Sequence, residues 1–185
     1  MIAVIANRGQ YNHRIYRTLK YLGAEAQLIK NDIHPEDLKA LDLEGIVIGG
    51  GPHLEESGNS KRIIEEFRRE LPILGICLGH QLLAEVFGGE VSQAEVGEYA
   101  EAEIIVDDED HILKGLSPKF SAWVSHRDEV RSLPKGFEKL AHSETCEIEA
   151  MRHSDLPLFG VQFHPEVEHT PKGPEIFRNF LELCM

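Results

Sequence analysis

The chain has 185 residues, 42% of them hydrophobic, and a formal net charge of −13. Length and apolar share suit one globular domain over residues 1–185. The acidic excess argues against a nucleic-acid backbone as main partner, because counterion release needs clustered Lys and Arg.

No apolar run approaches the roughly 20 residues of a membrane span. The amino-terminal Met1-Ile2-Ala3-Val4 stretch lacks a basic leader. Cys77, Cys146 and Cys184 are too few for a disulfide framework and point to a reducing cytoplasm.

In chain order, Ile2 to Ala6 predicts a first buried strand, and Ile15, Leu19 and Leu22 mark a helix over Arg14 to Leu22 that stops at Gly23. Ala24 to Ile29 predicts a second strand, and Pro35 to Leu41 a short helical turn. Gly45 to Ile48 predicts a third strand, which empties into Gly49-Gly50-Gly51-Pro52. Three glycines after a buried strand allow backbone to approach a ligand closely. An ordinary strand-end turn explains the composition equally well, and no phosphate loop is present, since no Gly-Lys-Ser/Thr follows. Ser60 to Leu71 predicts a helix with Ile63, Ile64 and Phe67 on one face. Strands alternating with helices indicate parallel pairing.

Leu71 to Leu74 predicts a fourth strand, followed at once by Gly75-Ile76-Cys77-Leu78-Gly79-His80-Gln81 and a helix running to Phe87. Two glycines flanking a thiol at this spacing form the cysteine version of the Gly-x-Ser-x-Gly elbow, with the sulfur over the first amides of a helix, where a thiolate is favoured. The alternative is a buried cysteine at a strand end.

Beyond Gly89 the runs Glu90–Val96, Ala100–Val106, Phe120–Val124, Glu138–His142 and Glu147–Met151 show partial period-2 alternation and predict antiparallel hairpins added to the parallel sheet. Residue types alone make Val124 to Val130 a solvated loop. Leu158 to Phe163 predicts a last buried strand, which places His164 at its carboxyl end, and in extended backbone Glu166 projects to the same side as His164. Pro174 to Leu183 closes the chain with a helix.

Acyl transfer by a thiol needs a nucleophile, an imidazole, a group to orient it, and amide donors for the oxyanion. Cys77, His164, Glu166 and the N–H groups of Gly51 and Leu78 supply that inventory, each at a predicted strand end. A zinc site is a weaker competitor: Cys77 and His80 have no second pair at finger-like spacing, so no metal is expected. His126, His142, His153 and His169 read as surface or hydrogen-bonded residues.

The two motifs around Cys77 and around Gly160-Val161-Gln162-Phe163-His164-Pro165-Glu166 resemble those of the class I (triad) glutamine amidotransferases. That resemblance implies a flavodoxin-like α/β fold that hydrolyses the side-chain amide of glutamine. Cys77 is then the nucleophile, His164 the acid and base, and Glu166 its orienting partner. Gly51 and Leu78 line the oxyanion hole, while Gly50, Gln81, Ser125, His126, Arg127 and Asp128 hold the glutamine.

Ser125-His126-Arg127-Asp128 and Glu166-Val167-Glu168-His169-Thr170 are further similar to GMP synthetase amidotransferase domains. The similarity implies a partner ATP-pyrophosphatase subunit that uses ATP and Mg²⁺ to convert XMP to GMP, no cofactor in this chain, and a separate glutaminase subunit, since the chain stops at Met185. His53 departs from the family, which often has a small residue there. A glutaminase of another synthase such as anthranilate synthase, a stand-alone thiol hydrolase and a noncatalytic module remain as alternatives.

Overall fold

The computed structural model describes residues 1–185. The elements run β1 (Ile2–Ala6), α1 (Asn12–Tyr21), β2 (Ala26–Lys30), α2 (Pro35–Lys39), β3 (Gly45–Ile48), α3 (Ser60–Phe67), β4 (Ile73–Ile76) and α4 (Leu78–Val86). The second half contributes β5 (Glu90–Val106), β6 (Lys119–Ser132), β7 (Phe137–His142), β8 (Ala150–His153), β9 (Leu158–Val161) and α5 (Gly173–Leu183).

All strands join one sheet in the order β2-β1-β3-β4-β9-β8-β7-β5-β6. The pairs β1 with β2, β1 with β3, β3 with β4, and β4 with β9 are parallel. The remaining pairs are antiparallel. The parallel part has the 2-1-3-4-5 order of flavodoxin-like sheets, with β9 as fifth strand, and such sheets place their sites outside the carboxyl ends of the strands. The expected mixed α/β architecture is therefore the one observed.

Strands β3, β4 and β9 are buried at every residue because both faces are covered. Alternation then sorts their side chains into two layers. Ile2, Val4, Val47 and Leu74 join Ile15 and Leu19 of α1 and Ile176, Phe177 and Phe180 of α5. Ala3, Ile5, Ile46, Ile48 and Ile73 meet Ile63, Ile64 and Phe67 of α3 and Leu82 and Leu83 of α4. No helix is long and apolar enough to cross a membrane.

Several boundaries differ from the sequence expectation. The fourth strand lies at Ile73–Ile76, two residues later than predicted, because Pro72 cannot donate to a ladder. Helix α3 ends at Phe67 instead of Leu71. Glu90–Val96 and Ala100–Val106 are one long strand, β5, joined through a register shift between Gln93 and Glu98. The Val124–Val130 stretch is no solvated loop: it lies within β6 and pairs with β5. Its polar side chains are accommodated because they face a cavity and one another.

Candidate active site

The β4-to-α4 turn is tight enough to force Cys77 to φ 53° and ψ −103°, a conformation that costs a non-glycine residue about 1–3 kcal/mol. Both flanking glycines are sterically required. A Cβ on Gly75 would be driven into the Gly79 carbonyl, and one on Gly79 into the Ile48 carbonyl of β3. The Cys77 N–H donates to the Val161 carbonyl at 2.8 Å, tying the elbow to the end of β9. Cys77 is 7% exposed.

The chain leaving β9 brings His164 to the same place. Its backbone N–H donates to the Trp123 carbonyl at 2.9 Å, and its carbonyl accepts from Thr170 Oγ1 at 2.6 Å. Its Nδ1 lies 2.7 Å from Glu166 Oε1, with both side chains buried. The ring of Tyr11 stands edge-on to the imidazole, with centroids 5.1 Å apart. Burial alone would lower the His164 pKa, but the charge of Glu166, followed by the charge and hydrogen bond of Cys77, raises it well above its ordinary value. An imidazolium beside the sulfur, oriented by a carboxylate, is the state from which a thiolate attacks and a proton is delivered to a leaving group.

The glycine loop after β3 is held by the β1-to-α1 loop. The Gly50 carbonyl accepts from the Gly9 N–H at 3.1 Å and from Asn12 Nδ2 at 3.0 Å. In a trans peptide the N–H points opposite to the carbonyl, so the Gly51 N–H is turned away from these donors and remains unpaired. The first amides of α4, beginning with Leu78, lie beneath Cys77 and lack intrahelical partners. Two amides are thus available near the sulfur.

These groups border a cavity of about 480 Å³ lined by Gly50, Gly51, Cys77, His164 and Glu166, together with Gln81. Residues 3–184 match the family model described as glutamine amidotransferase class-I. The chain belongs to the class-I glutamine amidotransferases. It is similar, at 54% identity over all of this chain and 98% of the relative, to a protein of Pyrococcus abyssi named as a subunit of glutamine-hydrolyzing GMP synthase. A Methanothermobacter thermautotrophicus protein of the same name is 52% identical over 100% of this chain and 98% of its own. A crystal structure from Thermoplasma acidophilum, described as that of a GMP synthase subunit, superposes with a TM-score of 0.92 at 38% identity, covering 99% of this chain and 92% of that one.

The remaining residues expected from the amidotransferase resemblance also reach the cavity. Ser125, His126, Arg127 and Asp128 line it from β6. Gln81 Nε2 donates to the Asp128 carbonyl at 2.8 Å. Of the two alternatives that residue type left for His126, surface or hydrogen-bonded, the structure has the second: it is 4% exposed, between the Asp128 carbonyl and Glu98. Leu78 is buried, and its side chain does not line the cavity. His53, the departure from the family pattern, lies on the rim.

Sequence reasoning missed two contributors to the cavity lining and one residue buried behind it. Arg8 to Asn12 forms one wall, and its place at the carboxyl end of β1 was the available signal. Tyr99 enters from β5 and carried no signal. Gln162 is 0% exposed, and its Nε2 lies 3.6 Å from Cys77 Sγ. A fully polar side chain inside an apolar run was the clue.

Proposed function

We propose that this chain is the glutaminase subunit of a two-subunit GMP synthase. Cys77 Sγ attacks the carboxamide carbon of glutamine, and the oxyanion is held by the Gly51 and Leu78 amides. His164 gives its proton to the departing nitrogen, so ammonia leaves and a glutamyl thioester remains. His164 then takes a proton from water, the hydroxide displaces the sulfur, and glutamate is released. Glu166 keeps the imidazole oriented through both steps. Arg127 and Asp128 offer opposite charges suited to the α-carboxylate and α-amino groups of the substrate.

The convergence of Cys77 with the His164–Glu166 pair carries the glutaminase chemistry. The full-length relatives named as GMP synthase subunits support the GMP synthase branch and the existence of a partner chain. That partner is an ATP-pyrophosphatase subunit, which uses ATP and Mg²⁺ to activate XMP and takes up the ammonia in the cytoplasm; this chain works without a cofactor. Glutamate release is to be measured with and without that subunit plus XMP, ATP and Mg²⁺. Strong stimulation by the complete mixture is expected, with GMP formed. Partner-independent turnover of peptides or γ-glutamyl compounds refutes the reading, as does a glutamine-analogue alkylator that labels Cys146 or Cys184 instead of Cys77.

A further inference from the structure

Behind the cavity, a continuous line of buried and part-buried hydrogen bonds leads away from the sulfur. Gln162 Nε2 faces Cys77 Sγ at 3.6 Å, and Gln162 Oε1 accepts from Gln81 Nε2 at 3.2 Å. Gln81 Nε2 also donates to the Asp128 carbonyl, which lies 3.0 Å from His126 Nδ1. On the far side of that ring, Nε2 is 2.7 Å from Glu98 Oε2, where the side chains of His126 and Glu98 are 1% and 9% exposed.

Both ring nitrogens of His126 therefore meet oxygen acceptors, a carbonyl and a carboxylate. A neutral imidazole has one N–H and can satisfy only one of them. Only the imidazolium has an N–H for each of them. We propose that Glu98 is a positioning residue for the nucleophile: it fixes His126 as a buried cation, which holds the Asp128 carbonyl and, through Gln81 and Gln162, presents a donor and a positive field to the Cys77 thiolate.

The groups around His126 agree with this assignment. Burial lowers its pKa, but the hydrogen bond to Glu98 and then the charges of Glu149, Cys77 and Glu98 raise it overall. From α4, His80 is fully buried and pushed down to about 3, so it stays neutral. Glu129 on β6 is paired with Arg131 at 2.8 Å. Beyond β7, Ser143, Cys146 and Glu149 complete the surroundings, and burial pushes the Cys146 thiol up, which keeps it protonated.

The inference rests on Cys77 being the nucleophile, and its test separates the two. In the full chain at pH 7, nitrogen-15 NMR is expected to show both His126 ring nitrogens protonated. Glu98→Gln is expected to slow iodoacetamide labelling of Cys77 by about three- to tenfold, equivalent to half to one pH unit of thiolate population. Gln162→Leu should cause a similar loss, and the double variant little more than either alone. Glu95→Gln, exposed on the same strand, should leave the rate unchanged. A neutral His126 ring in the unmodified chain overturns the proposal, even if Glu98→Gln does not fold. An unchanged labelling rate in folded Glu98→Gln also overturns it. His126, Cys146 and Glu149 place donor atoms within 4.8 Å of one another. Stoichiometric zinc in the purified chain, lost in Cys146→Ser, would put a metal where the cation is proposed and overturn it too. Absence of any labelling at Cys77 defeats the glutaminase reading, whereas normal labelling insensitive to Glu98 defeats this inference alone.

Discussion

Replacing Glu149 by Gln should make the protein more stable, and only at higher pH. The Glu149 side chain is 0% exposed and neither carboxylate oxygen has a hydrogen-bond partner. Burial, and after it the charge of Glu98, pushes its pKa from 4.5 up to about 7 against the pull of the His126 charge. Between those two values the native state binds more protons at this site than the unfolded chain does, so stability falls as pH rises. The native state is unpenalised below pH 4.5, and the loss is complete above about 7. At about 1.4 kcal/mol per pH unit, the interval corresponds to roughly 3 kcal/mol. Gln has the same shape and does not titrate. Urea unfolding of both proteins at pH 5, 6, 7 and 8 should show near-equal stability at the acid end and a variant advantage approaching roughly 3 kcal/mol at pH 8. Glu98 and His126 interact with Glu149 by charge, so the pH-dependent difference between the two proteins reports Glu149 together with that coupling. A constant offset across pH, or an advantage that shrinks as pH rises, refutes the reasoning.

Glu166→Gln removes the charge that contributes most to raising the His164 pKa. The maximal rate of glutamate release should fall by about 10²- to 10⁴-fold with a small change in KM, and a loss confined to KM would contradict the orienting role. Gly79→Ala forces a Cβ against the Ile48 carbonyl, so α4 has to back off by about 1 Å, and a misplacement of that size costs roughly 10²-fold in rate. Gly88→Ala meets no neighbour, and its φ of 80° limits the damage to about 1 kcal/mol of stability with activity retained; equal activity losses in the two variants would show that the elbow contact is unimportant. Asn12→Ala releases the Gly50 carbonyl, and single-turnover thioester formation should slow by about tenfold while glutamine binding is preserved. An unchanged single-turnover rate would mean that the Gly9 and Asn7 contacts suffice to hold the loop.

The parallel half of the molecule was legible because its strands are buried on both faces and read as unbroken apolar runs, β1, β3, β4 and β9, and the last three are followed by the glycine loop, Cys77 and His164. Spacing alone located the Cys77 elbow, since two steric requirements, at Gly75 and Gly79, leave a visible mark. The antiparallel half was harder for the opposite reason. Strand β6 buries His126 and Glu129 as well as Val124 and Val130, so the contrast between inside and outside on which alternation depends is lost where polar groups are buried by one another. Residue type leaves His126 as either a surface or a hydrogen-bonded histidine until Glu98, 28 residues earlier, and Glu149, beyond β7, are brought beside it. Strand pairing sets those distances, and only the β5 register shift between Gln93 and Glu98 carries Glu98 opposite His126. The bulge that made β5 look like two strands is thus the same feature that delivers a carboxylate to the back of the active site. What broke the sequence pattern there was a functional placement, as expected where a chain departs from its local rules.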